Sequence, residues 1–448
     1  MSNKKPNILF IMDDQHRWDY LGSMGSEFIS TPVLDRLARN GMQFSTCTTN
    51  SPVCAPARIA LATGMQPHRL GALSNRAMLP ARAKTYYQRL RNNNYYVGCV
   101  GKLDLAKPHL YHGRYGDRPC SYKWGFTHPL ECEGKGQAGK SKMPIGPYTF
   151  FLHEKGLLGE FVRDFAARKT TTCHDSILPT EAFHDVFIGR EAVKWIQKIP
   201  SDFPWHLFVS FTGPHNPFDP PKKYADRYRG TEMPEPIPVR LEGKPSRLQE
   251  RNLTGNMSKE EIADTRRQYC ASIELIDSQI GEILDALKDR GMHENTYVIF
   301  ASDHGEMLGD FGAYLKQMPY EAALRVPLII AGPGIEPGSR SDEPVELIDV
   351  NATICDLAGL RPQPEIDAES LLPVLLGETK FHREDAISAI SEFRLIRTKS
   401  HKYVRNQGDV DELYDLNDDP LEMTNIANRN PALVRELSDR MNMRFGTS

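Results

Sequence analysis

The sequence predicts an α/β fold: a large, mostly parallel sheet covered by helices on both faces, followed by a smaller C-terminal α+β domain. Three observations lead there. Short apolar runs alternate with stretches of helical periodicity through most of the chain, the pattern of strand–helix–strand units. The runs are apolar throughout, as strands buried on both faces are. After about residue 375 the pattern changes to closely spaced β-like runs and one terminal amphipathic stretch. The expected organisation is a first domain over 1–375 and a second over 376–448.

The elements follow in order. ILFIM at 8–12 is a continuous apolar run closed by Asp13 and Asp14, a buried strand ending at the carboxyl edge of the sheet. Thr31 caps a helix with Pro32 in its first turn, Leu34 and Leu37 on one face and Gly41 as its stop. Pro56 opens a second helix through Thr63, stopped by Gly64. Tyr96–Gly101 is a strand, and 103–175, rich in Gly, Pro, Lys and Tyr, reads as an irregular insertion over one edge. Residues 181–198 have helical spacing, 206–211 (HLFVSF) form a strand, and the polar, Pro-rich 219–256 reads as loop. Ser258 and Glu261 make a capping box for a long helix to about Arg290. Strands follow at 296–301 and 326–331. The second domain has β-like runs at 387–390, 393–397 and 402–405, followed by ELYDL at 412–416 and a helix near 431–444.

A formal net charge of −3 over 448 residues gives no global field toward nucleic acid or an anionic membrane. An anionic ligand must therefore be recognised by locally placed Lys, Arg and His. No stretch approaches the length of a membrane span. The eight cysteines form no C-x-x-C pair and read as reduced, mostly buried thiols. The N-terminal apolar run is too short for a signal-peptide core and lacks a small-residue cleavage site. The expected location is the cytoplasm, or the periplasm if a leader has been removed. Oligomeric state is not legible.

Ligands of open α/β sheets bind outside the carboxyl ends of the strands. Four expected strands end in charged or imidazole groups: Asp13 and Asp14, Lys102, His215, and Asp303 with His304. One such ending is usually a cap or a turn. Four on one edge would gather three carboxylates, two imidazoles and a lysine around one crevice. Carboxylates crowded together repel unless a cation sits among them. Asp13, Asp14 and Asp303 therefore suggest a divalent metal, with hard oxygen ligands favouring Ca²⁺, Mg²⁺ or Mn²⁺. Coordination by His304 would move the balance toward Mn²⁺.

The most specific feature is Cys54 at the start of an expected helix, with Arg58 one turn on, in CAPARIALATG. A thiol there is in an environment that stabilises anionic or strongly polarised groups. C-x-P-x-R-x-x-L-x-T-G resembles the signature of the type I sulfatases. The resemblance covers nearly the whole chain: PNILFIMDDQ, GKLDL at 101–105, GPHNPF at 213–218, SDHGEMLGD at 302–310, Lys316 with YEAALRVPLII, VELIDVNATICDLAGL at 345–360 and ELYDLNDDPLEMTNIA at 412–427.

The resemblance implies the alkaline-phosphatase-like fold. It implies that a maturation enzyme oxidises Cys54 to Cα-formylglycine. It also implies one divalent metal, calcium first and manganese second, held by Asp13, Asp14, Asp303, His304 and residue 54. In the implied chemistry one hydroxyl of the hydrated aldehyde attacks sulfur. Lys102 and Lys316 hold sulfate oxygens, His215 protonates the leaving alcohol, and Arg58 orients the diol. The second hydroxyl then drives out sulfate, an exit that a plain thiol or alcohol nucleophile lacks. Where the family has G-K-x-H, this chain has Asp104. Asp104 could serve as the base, be replaced in that role by another residue, or shape the pocket. Asn75 is a weaker substrate-side candidate, with a turn role as its rival. Lys107, His109, His112, Arg114 and Arg118 amid Tyr111 and Tyr115 suit a sulfated or carboxylated sugar, or a solvated loop. The expected substrate is a small or oligosaccharide sulfate ester. The rivals are a phosphonate monoester or phosphodiester hydrolase on the same scaffold, and a non-catalytic anion-binding relative.

Overall fold

The computed structural model describes residues 5–168, 173–251 and 257–446. Its strands in the first three quarters are β1 (Asn7–Asp14), β2 (Met42–Phe44), β3 (Cys47–Thr48), β4 (Tyr96–Gly101), β5 (His128–Glu131), β6 (Trp205–Pro214), β7 (Thr296–Ser302), β8 (Leu328–Ala331), β9 (Ser339–Ser341) and β10 (Val345–Glu346). Eight of them form one sheet in the order β5-β4-β6-β1-β7-β8-β2-β9. The central strands β4, β6, β1 and β7 are parallel to one another, and β8 runs antiparallel to β7. β3 and β10 make a small parallel pair beside it.

All eight residues of β1 are buried, and its side chains alternate between two cores. Leu9 and Ile11 join the core under the helices His184–Lys198 and Lys259–Asp289. Ile8, Phe10 and Met12 join the one under Tyr86–Asn92 and Asp349–Leu357. A strand covered on both faces has no polar side, which is why its sequence does not alternate. Each large apolar side chain so buried contributes about 1.5–3 kcal/mol.

The long helix starts at the expected capping box, with the Glu261 amide donating to Ser258 Oγ and the Ser258 amide to Glu261 Oε2. The first helix, Pro32–Arg39, is capped otherwise than expected. Thr31 makes no side-chain cap. The Asp277 carboxylate, carried on the long helix, accepts from the Val33 and Leu34 amides at 3.1 and 2.8 Å. Two stretches read as irregular are partly regular. The first holds β5 and the helices Pro119–Lys123, Lys135–Lys140, Pro147–Glu154 and Leu158–Ala167. The other holds Lys222–Tyr228 and Ser246–Glu250, and 252–256 lie outside the described residues.

Beyond residue 380, β11 (Asp385–Ala389), β12 (Phe393–Thr398), β13 (His401–Asn406) and β14 (Glu412–Asp415) form an antiparallel sheet in chain order. The helix Pro431–Phe445 packs Leu437, Met441 and Phe445 on its Ile387, Ile396, Tyr403 and Leu413. This is the small C-terminal antiparallel-sheet domain. It is tied to the first domain through ion pairs to the helix Asp349–Leu357 and to β10: Arg383 pairs with Asp349 at 2.5 Å and Arg444 with Glu346 at 2.6 Å. The eight cysteines are free, and all but Cys120 and Cys173 are buried. No helix among the described residues is long and apolar enough to cross a membrane.

Candidate active site

The carboxyl ends of β1, β4, β6 and β7 converge. At the end of β1 the register with β6 shifts between Met12 and Asp14, a local irregularity of the kind that re-aims side chains next to active sites. Asp13 Oδ2 lies 2.5 Å from His16 Nδ1, while its buried Oδ1 has no hydrogen-bond partner. Beyond β7, Asp303 Oδ1 accepts from the Gln15 amide at 3.1 Å. The chain then turns sharply at Gly305, where a Cβ would meet the Ala322 carbonyl oxygen at 2.0 Å. His304 Nδ1 faces the Gly305 carbonyl at 3.0 Å, leaving Nε2 to point inward.

Cys54 is the first residue of the helix Cys54–Thr63 and is fully buried. Its Sγ is 3.2 Å from His304 Nε2 and 3.9 Å from Asp14 Oδ1. Ligating atoms of Asp14, Cys54, Asp303 and His304 all lie within 4.8 Å of one another. One turn on, buried Arg58 spreads its fork over four acceptors. Nε reaches Asp303 Oδ2 at 2.7 Å, and Nη2 reaches Asp14 Oδ2 at 3.4 Å. Nη1 reaches Ser210 Oγ at 2.7 Å and the Lys102 carbonyl at 2.8 Å.

Lys102 follows Gly101, whose φ of 108° and close approach to Ser210 leave no room for a Cβ. The Lys102 ammonium donates to Asp14 Oδ2 and pairs with Asp104 Oδ2 at 3.1 Å. Asp104 Oδ2 also takes Lys107 Nζ at 2.6 Å. Lys316 Nζ donates to Gln15 Oε1 and contacts His215 Nε2 at 2.7 Å. His215 Nδ1 is 2.7 Å from the Asn216 carbonyl. Asn75 Oδ1 accepts from the Ala55 amide at 3.1 Å, at the start of the Cys54 helix.

The electrostatics follow from this geometry. Burial pushes the Cys54 thiol up, but Lys102, Lys107, Lys316 and His304 outweigh it and hold it well below the usual thiol range. Burial also opposes the charge on Asp14; Lys102, His215 and Arg58 override it and keep the carboxyl ionised. For Asp13 burial wins over His16 and the carboxyl is raised. A buried acid whose second oxygen has no partner fits a cation held between it and the Asp14, Cys54, Asp303 and His304 group. Burial and the Lys316 charge lower His215. Asp104 sits below the usual carboxylate range because Lys102 and Lys107 overcome its burial.

A cavity of about 420 Å³ opens over the site. Asn75, Lys102, Asp104 and His215 line it, with Lys107, Lys135 and Lys140. Other basic residues of the insertion are placed elsewhere. Arg118 pairs with buried Glu131, His112 lies 3.7 Å from the same carboxylate, and Arg114 pairs with Glu154 at the surface. Tyr111 and Tyr115 are exposed. Sequence reasoning gave no role to Gln15, Ser210 or Lys135. Gln15 follows the two aspartates, and its positive φ of 75° turns it back between Asp303 and Lys316; nothing in its neighbours signals that conformation. Lys135 Nζ is bound by the His215 and Pro217 carbonyls and by Asp219 at 2.8 Å, bracing the His215 loop.

Comparison with known proteins agrees with this geometry. A family model described as Sulfatase matches residues 6–360, and one described as N-sulphoglucosamine sulphohydrolase, C-terminal, matches 309–445. The chain is 31% identical over 442 residues to the choline-sulfatase of Rhizobium meliloti (strain 1021), covering 95% of this chain and 83% of that protein. It is 29% identical over 446 residues to an arylsulfatase of Clostridium perfringens (strain 13 / Type A), covering 95% and 90%. Among solved structures, the phosphonate monoester hydrolase of Agrobacterium radiobacter superposes with a TM-score of 0.83 at 25% identity, covering 99% and 96%. A protein solved with its substrate D-glucosamine-2-N,6-O-disulfate superposes with a TM-score of 0.81 at 21% identity, covering 99% and 98%.

Proposed function

The chain belongs to the sulfatase family and is a sulfuric ester hydrolase, and from that premise we propose that it works through a formylglycine made from Cys54. The carrying observation is the position of Cys54: buried at a helix start, 3.2 Å from His304, and within 4.8 Å of a ligating set that includes Asp14 and Asp303. A divalent cation held by Asp13, Asp14, Asp303, His304 and residue 54 would lower the pKa of a hydroxyl there and offset negative charge; calcium is the first choice and manganese the second. The other steps belong to the chain. Arg58 fixes Asp303 and Asp14 through its fork. Lys102 and Lys316 donate to sulfate oxygens as charge builds on them. His215 Nε2, 2.7 Å from Lys316 Nζ beside the cavity, protonates the departing alcohol oxygen. Asp104 holds Lys102 and Lys107 in place and remains the candidate acceptor for the proton released with sulfate.

The substrate we propose is a small or oligosaccharide sulfate ester. The change of pattern near residue 375 supports a domain boundary there. The TM-score of 0.83 with a phosphonate monoester hydrolase favours phosphonate monoesters as the second reading. Co-expression with a formylglycine-generating enzyme, followed by peptide mass spectrometry, should find an aldehyde at residue 54. The matured protein should cleave 4-nitrophenyl sulfate with a higher kcat/KM than 4-nitrophenyl phenylphosphonate. An alkylatable thiol at residue 54 in fully active protein would overturn the formylglycine proposal, and the reverse substrate order would transfer the activity to phosphonates.

A further inference from the structure

The cavity over the site carries more positive charge than one sulfate group needs. Four lysines line it, and Asp104 is the single acidic residue among the described lining residues. Two of the lysines are committed. Lys102, which donates to Asp14, serves the ester centre beneath the cavity, and Lys135 is bound to Asp219 and two carbonyls in the protein interior. The other two are not. Lys107 keeps about a quarter of its side chain exposed and shares Asp104 with Lys102, so one carboxylate serves two ammonium groups. Lys140 is exposed and makes no ion pair with any described residue. Gln137 and Ser141, which donate to the Lys107 and Gln137 carbonyls, lie between them, and no Phe, Tyr or Trp lines the cavity.

We propose that this cavity takes a sulfate ester carrying a second anionic group, a carboxylate or a further sulfate, which Lys107 and Lys140 receive while Lys102 and Lys316 hold the ester being cleaved. The inference rests on the sulfate-ester reading of the same site. It also separates this chain from a choline-sulfatase in substrate. A quaternary ammonium is recognised by aromatic faces and uncompensated carboxylates, and this lining has no aromatic face and one carboxylate already held by two lysines. A second anion brought between under-neutralised ammonium groups gains charge-assisted hydrogen bonds. A cation there meets like charge.

Sulfonates mimic the sulfate group and are not hydrolysed, so binding can be read without turnover. Calorimetry on the matured, metal-loaded protein would compare benzenesulfonate, benzene-1,3-disulfonate, 3-sulfobenzoate and 3-(trimethylammonio)benzenesulfonate. The two dianions should bind at least about tenfold more tightly than benzenesulfonate, and the ammonium compound more weakly than it. The disulfonate against the sulfobenzoate distinguishes a second sulfate from a carboxylate as the preferred group. Lys140→Gln and the Lys107→Gln/Lys140→Gln pair should shrink the dianion preference stepwise, as should added salt. Equal binding of mono- and dianions, or tighter binding of the ammonium compound, would overturn the proposal. Failure of the sulfatase reading is distinct: the dianion preference would persist while the matured protein leaves 4-nitrophenyl sulfate intact.

Discussion

Arg58 offers the sharpest test of how the site is held together. Its guanidinium is 2% exposed and neutralises Asp303 at 2.7 Å and Asp14 at 3.4 Å, carboxylates that are themselves fully buried. Arg58→Met keeps most of the volume and removes the charge. Breaking a buried pair from one side costs about 3–5 kcal/mol, because the remaining charge is left uncompensated. At about 2.1 cal/mol/K of unfolding entropy per residue, a chain of 448 residues converts that into a Tm loss of roughly 3–5 °C. The loss should depend on metal. With EDTA present, Asp303 has lost both Arg58 and the ion while Asp14 keeps only Lys102, and the full deficit appears. With saturating calcium, the ion supplies the missing positive charge and the deficit shrinks. Differential scanning calorimetry of wild type and variant under both conditions reads this directly. A Tm loss below about 1 °C in EDTA, or the same loss with and without calcium, would refute both the electrostatic role of Arg58 and the shared use of these carboxylates by a cation.

The remaining predictions concern metal, pH and Asp104. Matured protein dialysed free of excess ion should retain one divalent metal per chain by elemental analysis, and Asp13→Asn should weaken its binding by at least the roughly 10–100-fold typical of losing an outer-shell partner; two ions about 4 Å apart would contradict the single-site geometry. His206, buried in β6 with its pKa pushed down to about 3 by desolvation, is neutral in the fold and protonates in the unfolded chain below about 6.5. Stability should therefore fall as pH drops below 6.5, and urea denaturation of His206→Phe should show a slope shallower by about 1.4 kcal/mol per pH unit between pH 4 and 6; an unchanged slope would put the charged form in the native state. Asp104→Asn removes the carboxylate shared by Lys102 and Lys107, so inorganic sulfate should inhibit the variant several-fold more tightly, on the order of 1 kcal/mol. A burst of alcohol followed by slow turnover in that variant would instead identify Asp104 as the base for sulfate release.

The strand ends were legible because parallel strands buried on two faces leave unbroken apolar runs, and each run stops where polar atoms are needed. Asp13, Asp14, Lys102, His215, Asp303 and His304 are all read that way, and the sheet order brings the carboxyl ends of β1, β4, β6 and β7 side by side. The short helices were not legible, for a physical reason. One of them takes its cap from a carboxylate elsewhere in the chain. Glu133 accepts from the Tyr148 and Thr149 amides at 3.2 and 2.9 Å and so caps the helix Pro147–Glu154. A cap supplied through space leaves no Ser, Thr, Asp or Asn at the local position where a sequence reading looks for one.

The same distinction governs Asp104, where the sequence departs from the G-K-x-H pattern it otherwise resembles. Asp104 can be read from the sequence as a substitution of an imidazole by a carboxylate, and on its own that adds a negative charge beside an anion-binding site. The fold supplies the compensation three residues on. Lys107 Nζ sits 2.6 Å from Asp104 Oδ2 and draws its carboxyl below the usual range together with Lys102. Asp104 and Lys107 together carry no net charge, as an unprotonated imidazole would not. The positive field that Lys102 presents toward Cys54 is therefore kept, and the cavity wall carries at Lys107 an ammonium group able to meet a substrate oxygen. The departure alters what the cavity can recognise more than what the centre beneath it can do.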